Sequence, residues 1–155
     1  MQFSSKEDIE APIDRVFVML SEFETFERLA IGRGIEVSRQ GETREPSVGM
    51  RWHVNFSMRG RRRDMHLQLA TYDPPNLMLF VSDSQGLQGR MSLELVPLSP
   101  RRTRMSVVLN LKPKTISARL LIQSLKLAKA NLTKRFKLRV ADYAKNLEDR
   151  HQRNA

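Results

Sequence analysis

Few side chains in this sequence could do chemistry, and they lie far apart. Glu7 lies in a segment that alternates apolar and polar residues, on the same side as Phe3 and Ile9. A carboxylate that faces a protein core needs a partner or a raised pKa. One interpretation is that Glu7 is a polar anchor or general base, with Ser5 or Thr71 nearby. The alternative is that Glu7 lies at a strand edge and reaches water.

Two histidines, His53 and His66, suggest metal binding or acid–base chemistry. Alternation places both on the polar face of a predicted hairpin as diagonal neighbours, with Asp64 further along that face. A metal site needs three converging ligands at about 2.0–2.2 Å, and a solvated sheet face accounts for the same residues. The sequence also lacks the G-x-S-x-G, H-E-x-x-H and glycine-rich phosphate motifs. We therefore predict no metal, no cofactor and no catalytic residue, and we leave enzymatic activity open.

Basic residues outnumber acidic ones by 27 to 17, which gives a formal net charge of +10. Arg59, Arg61, Arg62 and Arg63 surround Gly60 in a predicted tight turn. These arginines form either a solvated rim or a surface that docks transiently on an anionic membrane, where each basic residue contributes roughly 1 kcal/mol. A nucleic acid or protein partner is compatible with the charge. However, nucleic-acid grooves usually carry stacking aromatics, and most aromatics here fall at predicted core positions.

The length and composition indicate a single domain over residues 1–155 with a sizeable core. No run of about 18 apolar residues is present, and the start lacks an apolar signal segment. The sequence contains no cysteine, which excludes disulfides and thiolate chemistry. We expect a cytoplasmic protein.

The longest periodic segment, residues 115–147, lacks Gly and Pro and predicts one helix of roughly nine turns. Thr115 is placed to cap its first turn. Its apolar residues recur at steps of three and four, namely Ile116, Leu120, Leu121, Leu125, Ala128, Leu132, Phe136, Val140, Tyr143 and Leu147. A helix this long must lay its apolar face on another element, and the rest of the chain predicts a sheet.

Residues 50–58 and 65–71 alternate strictly between apolar and polar types and predict a β-hairpin. A two-residue turn at Gly60-Arg61 would pair apolar with apolar and polar with polar residues. The apolar pairs would be Trp52 with Leu69, Val54 with Leu67 and Phe56 with Met65. The polar pairs would be His53 with Gln68 and Asn55 with His66.

The remaining segments predict a first strand, two short helices and further strands. The first strand ends at Ala11-Pro12, and a capping box of Ser21 and Glu24 is predicted to begin the second helix. Further strands are predicted at residues 35–39, 77–82, 87–96 and 103–111, with a polar loop at 41–48. Both sides of 77–82 are apolar, so its inward face stays open.

This order resembles a known family. The segment I-E-A-P-x-x-x-V-F-x-x-L at residues 9–20 is similar to the entry of START-like, Bet v 1-like helix-grip proteins, also called SRPBCC or polyketide-cyclase proteins. T-R-M-S-V at 103–107 is similar to their last strand, which precedes a long C-terminal helix. The resemblance implies an α+β fold with a curved, seven-stranded antiparallel sheet around that helix and a cavity between them.

The apolar face of the predicted sheet is either a packed core or the wall of a ligand pocket. Eight methionines favour the pocket, because thioethers fit varied apolar ligands. The residues expected to line it are Glu7, Trp52, Val54, Phe56, Met65, Leu67, Leu69, Thr71, Met91, Leu93, Met105, Val107, Leu121, Leu125, Leu132 and Phe136.

Three functions are compatible with these residues. The first is binding or transport of an apolar small molecule, such as a lipid, polyketide or quinone, as most members of the resembled family do. The second is a cyclase- or hydrolase-type enzyme in the same cavity, with Glu7 or a cavity Ser, Thr or Tyr as acid–base group. The third is a protein- or RNA-binding module that uses the arginine turns. Fold alone does not choose among them.

Overall fold

The computed structural model describes residues 1–42 and 44–154, so Thr43 in the predicted polar loop and Ala155 lie outside it. Helices and strands follow the predicted order, and the two short helices after the first strand are confirmed. The elements are β1 (Gln2–Ile9), α1 (Ile13–Leu20), α2 (Phe23–Gly32), β2 (Glu36–Gln40), β3 (Arg51–Met58), β4 (Arg61–Asp73), β5 (Leu77–Ser84), β6 (Leu87–Ser99), β7 (Arg102–Pro113), α3 (Ile116–Leu127) and α4 (Lys129–Arg153).

All seven strands form one antiparallel sheet in the order β1-β7-β6-β5-β4-β3-β2. The predicted α+β class and the curved, seven-stranded helix-grip sheet are therefore confirmed. Met78 and Phe80 of β5 are buried, which identifies the inward face that the sequence left open. The apolar residues of β3, β4 and β6 share this inner face, which is where the core lies.

The β3–β4 hairpin turns one residue earlier than predicted. Its turn is Arg59-Gly60, and Trp52 pairs with Leu67 rather than Leu69. Both turn residues have positive φ angles, 56° at Arg59 and 74° at Gly60. Positive φ at both positions is typical of type I′ turns, whose twist matches the twist of the two strands they join. The predicted register was therefore wrong by two residues. Because two residues are one full repeat of a strand, the side chains of the paired residues 51–58 and 61–68 keep their predicted faces.

A β-bulge interrupts the alternation of β4 between Leu69 and Thr71. Leu69 pairs with Phe80 on the inner face, and Thr71 pairs with Leu79, which lies between the buried Met78 and Phe80. The extra residue thus places Thr71 on the outer face of the sheet. The prediction that Thr71 lines the cavity assumed unbroken alternation along β4. The bulge breaks that alternation, so Thr71 faces away from the inner side of the sheet.

The C-terminal helix is divided at Ala128 (φ −106°, ψ 15°) into α3 and α4, so the prediction of one continuous helix was wrong. No Gly or Pro lies at the break. The two segments pack on different strands, α3 on β7 and α4 on β1. The predicted cap is confirmed, since the Thr115 hydroxyl accepts a 3.1 Å hydrogen bond from the Ala118 amide.

The predicted capping box at the start of α2 does not form. Glu22 is the residue that precedes the helix, and no side chain caps it. The Ser21 hydroxyl instead donates to the carbonyl of Phe17 at 2.8 Å and accepts from the Tyr72 hydroxyl at 2.8 Å. Ser21 thereby ties the α1–α2 junction to β4.

Thr103 connects the start of β7 to the chain that leaves β1. Its side chain is fully buried, and its hydroxyl donates a 2.8 Å hydrogen bond to the carbonyl of Ala11. The bond satisfies a backbone acceptor at the point where the chain turns from the sheet into α1.

We expect Thr103→Val to lower the free energy of unfolding by about 1–2 kcal/mol, because it keeps the shape of the side chain but removes the donor to Ala11. Urea denaturation measures this change. Thr71→Val on the outer face is the matched control and should change the free energy by less than about 0.5 kcal/mol. Equal losses in the two variants would contradict the role assigned to the hydroxyl.

Candidate ligand cavity

An apolar cavity of about 280 Å³ lies between α2 and the inner face of the sheet. The short helices contribute one side of its wall, and strands β2 to β6 contribute the other. The lining residues are Leu20, Phe23, Phe26, Glu27, Ala30, Ile35, Val37, Trp52, Val54, Met65, Leu67, Phe80, Met91 and Leu93. Glu27 is the one charged member of this wall among the residues that the structure describes.

Six of the residues predicted to line a cavity form this wall. They are Trp52, Val54, Met65, Leu67, Met91 and Leu93, and all come from β3, β4 and β6. Their shared signal is the period-two alternation, which places each on the inner face. The structure therefore brings the predicted sheet residues together around one space.

The other predicted lining residues lie away from this wall in the described part of the chain. Leu69, Met105 and Val107 are buried in the core, Phe56 packs at its edge, and half-buried Glu7 pairs with Met105 on β7. The helix positions Leu121, Leu125, Leu132 and Phe136 belong to α3 and α4 and do not contribute to it. The cavity lies beneath α2 rather than beneath the C-terminal helix.

Side chains fill the space under α4. The Phe136 ring packs against Phe3 of β1 with centroids 5.8 Å apart. Val140, Ala144 and Leu147 are buried and belong to the main core. Side chains of β1 and α4 thus pack directly on each other there, whereas the shorter α2 leaves space above β3 to β6.

Sequence reasoning missed the contribution of α2 to the cavity. Phe23, Phe26 and Ala30 recur at helical spacing, and Glu27 lies on the same side of the helix. This stripe is visible in the sequence, but its spacing does not show which part of the sheet it covers. Leu29, also an apolar residue of α2, lies outside this stripe and is 53% exposed.

A polar cluster joins α2 to β2 and β3 at the rim of the cavity. Arg39 of β2 donates to the Glu27 carboxylate through Nε at 2.9 Å and also through Nη2, and the indole nitrogen of Trp52 donates to it at 3.3 Å. The side chains are largely buried, with Glu27 22% and Arg39 16% exposed. The carboxylate therefore anchors the helix to the sheet edge.

Replacing this carboxylate should loosen α2. Glu27→Gln removes the negative charge that faces the largely buried Arg39 guanidinium, and we expect the free energy of unfolding to fall by about 1–3 kcal/mol. Urea denaturation followed by Trp52 emission measures the loss. Glu36→Gln is the control, because Glu36 is 78% exposed in its 3.3 Å pair with Arg62 and should contribute at most about 0.5 kcal/mol. Similar losses in both variants would refute the anchoring role.

A second set of contacts holds α2 against α4. The Tyr143 ring packs on Phe26 with centroids 5.2 Å apart, and Arg150 forms an ion pair with Glu22 just before α2. Burial raises the pKa of the Tyr143 phenol well above its usual value. The Arg150 guanidinium acts in the opposite direction, and the Glu22 carboxylate adds to the rise. The phenol is therefore kept neutral.

The raised pKa of Tyr143 predicts a loss of stability in alkali. The neutral phenol contributes stability that is complete below the unfolded-state pKa of roughly 10 and is lost as the pH rises above it. In Tyr72→Phe, where Tyr143 is the remaining tyrosine, phenolate absorbance and unfolding should appear together. A phenolate signal that develops while circular dichroism stays native would contradict this prediction.

The outer face of the sheet carries the histidines. His53 and His66 pair directly across β3 and β4, not diagonally, with ring centroids 5.1 Å apart, and His53 lies 3.3 Å from Asp64. No group of three potential ligands capable of holding a metal occurs within residues 1–42 and 44–154. An open depression of about 660 Å³ on this face is lined by strand residues and mixes polar and apolar surface. It lacks the helical cover that encloses the inner cavity.

The arrangement of a curved antiparallel sheet, paired short helices and a long C-terminal helix defines the START-like, Bet v 1-like helix-grip fold. Comparison with solved structures agrees with this assignment. A structure from Thermus thermophilus is 16% identical, with a TM-score of 0.65 over 100% of this chain and 99% of that chain. No family model and no curated protein sequence matches the chain significantly.

Two further structures with this fold have descriptive names. A START superfamily protein from Mycobacterium smegmatis is 14% identical, with a TM-score of 0.56 over 86% of this chain and 95% of that chain. The Zhui aromatase/cyclase from Streptomyces sp. R1128 is 10% identical, with a TM-score of 0.61 over 86% of this chain and 88% of that chain. At these identities the likeness shows the fold alone.

Proposed function

We propose that the protein binds or carries an apolar small molecule in the cavity between α2 and the sheet. The observation that carries the proposal is the wall of this cavity, in which Glu27 is the single charged side chain among the described lining residues. A ligand that covers this wall removes apolar surface from water and packs against its side chains, and both effects favour binding. The helix-grip fold supports the proposal. We also propose that the protein is cytoplasmic.

The cavity volume limits the part of the ligand that is enclosed. An apolar cavity of roughly 150 Å³ accommodates benzene, so about 280 Å³ corresponds to a two-ring body or a short branched chain. Quinone-like, polyketide-like and lipid-like molecules contain such a portion. A longer tail would extend through the opening of the cavity into solvent.

The polar cluster at the rim suggests how such a ligand is oriented. The Glu27 carboxylate, which already accepts from Arg39 and the Trp52 indole, is the polar group of an otherwise apolar wall and can accept a further hydrogen bond. A ligand with one hydroxyl group would place it here. We propose binding rather than catalysis, since Glu7, the candidate general base, pairs with Met105 outside this wall.

Trp52 provides a direct readout, because it is the single tryptophan of the sequence and lies in the cavity wall. We expect 1-anilinonaphthalene-8-sulfonate to receive energy from Trp52 on binding and to be displaced by a naphthoquinone. Ala30→Leu adds bulk to the wall and should weaken probe binding by about tenfold, the equivalent of roughly 1.4 kcal/mol.

Ala130→Leu makes the same change at an exposed position of α4 and is the matched control. It should bind the probe as the unmodified protein does. Circular dichroism of both variants establishes that they fold. If Ala30→Leu binds the probe normally, or if the naphthoquinone does not displace it, the cavity is not the binding site.

A further inference from the structure

Helix α3 is apolar on two opposite sides. With about 100° between successive residues, two stripes run along this helix. The inward stripe consists of the buried residues Ala118, Ile122 and Leu125. The outward stripe consists of Ile116, Leu120 and Leu127, which are 78%, 61% and 92% exposed. A contiguous row of large apolar side chains left in water is typical of an interaction surface, so the outward stripe calls for an occupant.

The sequence that contains α3 carries charge of one sign. The 47 residues from Leu95 to Ala141 contain twelve Lys or Arg and no Asp or Glu. Five of these basic residues, Lys112, Lys114, Arg119, Lys126 and Lys129, lie on α3 or beside its ends, and all are exposed. Within the described part of the chain, none of the five forms an ion pair. Their charge is available to an anionic partner.

The β3–β4 turn, Arg59-Gly60, lies at the same end of the sheet as the start of α3. Ser84, at the end of β5, donates a 2.7 Å hydrogen bond to the carbonyl of Asp64, just beyond the turn. The amide of Lys114 donates to the carbonyl of Gly86 at 2.7 Å in the neighbouring β5–β6 turn. The exposed residues Arg59 and Arg61 therefore add positive charge to the end of the molecule that carries α3.

We propose that α3 is a docking surface for an anionic lipid bilayer. The helix would lie in the plane of the interface, with Leu120 and Leu127 among the lipid chains and Arg119 and Lys126 at the phosphates. Two features select this partner. An aliphatic row would gain nothing from the polar backbone of a nucleic acid. A second copy of the chain would bring another net charge of +10 against the same face.

Vesicle sedimentation tests the proposal with the full chain. The protein should pellet with vesicles of equal phosphatidylcholine and phosphatidylglycerol, stay in solution with phosphatidylcholine alone, and be released by high salt. Leu120→Gln/Leu127→Gln and Arg119→Gln/Lys126→Gln should each weaken binding about tenfold or more. Val96→Gln/Leu98→Gln is the matched control, because these residues are 41% and 42% exposed near the opposite end of the sheet.

The control should bind like the unmodified protein, and circular dichroism should show that all the variants fold. Failure of the unmodified protein to bind the anionic vesicles would overturn the proposal, as would normal binding by both α3 variants. A concentration-dependent dimer that Leu120→Gln/Leu127→Gln abolishes would assign the stripe to a second copy instead. Probe binding at Trp52 reports separately on the inner cavity, so the two proposals succeed or fail independently.

Discussion

The inner face of a seven-stranded sheet is too wide for one helix to cover. The rest of this structure depends on which elements cover the part of the face that the C-terminal helix leaves exposed. Strands about 4.8 Å apart give a sheet roughly 29 Å wide, whereas a helix with its side chains is about 10 Å across. Helix α4 packs on β1 and fills that side. The remaining inner face is left to α1 and α2, which together have 18 residues. The cavity lies where these short helices do not fill the space.

The position of α2 depends on contacts that are distant in sequence. A ten-residue helix has little stability of its own, so its neighbours must fix it. The Glu27–Arg39 pair holds it to the sheet edge, while the Glu22–Arg150 pair and the Phe26–Tyr143 contact hold it to α4. Partly buried ion pairs gain little net energy after the cost of losing water. Their main effect here is to set where the helix lies, and with it the shape of the cavity.

The sequence predicts what repeats along an element, but not what depends on contacts between elements. Alternation placed Trp52, Val54 and Met65 on the inner face. That placement is correct although the predicted register was wrong by two residues, because side chains on a strand repeat their face every two residues. Thr71 was misplaced because one bulge residue reverses the faces beyond it. The break at Ala128 carries no Gly or Pro signal. The charges of Glu27 and Arg39 are visible in the sequence, but their meeting follows from how α2 packs.

The stretch from Leu95 to Ala141, which contains no acidic residue, also affects how the protein is oriented as it approaches a charged surface. Fourteen of the 17 acidic residues precede it, including four in or beside α1 and α2. Those helices begin near the start of β7, whereas α3 begins at its end, and 12 residues of strand separate them by about 40 Å. The basic residues of α3 and the carboxylates of α1 and α2 therefore lie toward opposite ends of the sheet. A negatively charged surface would attract the first group and repel the second, so the protein would approach it with the α3 end leading.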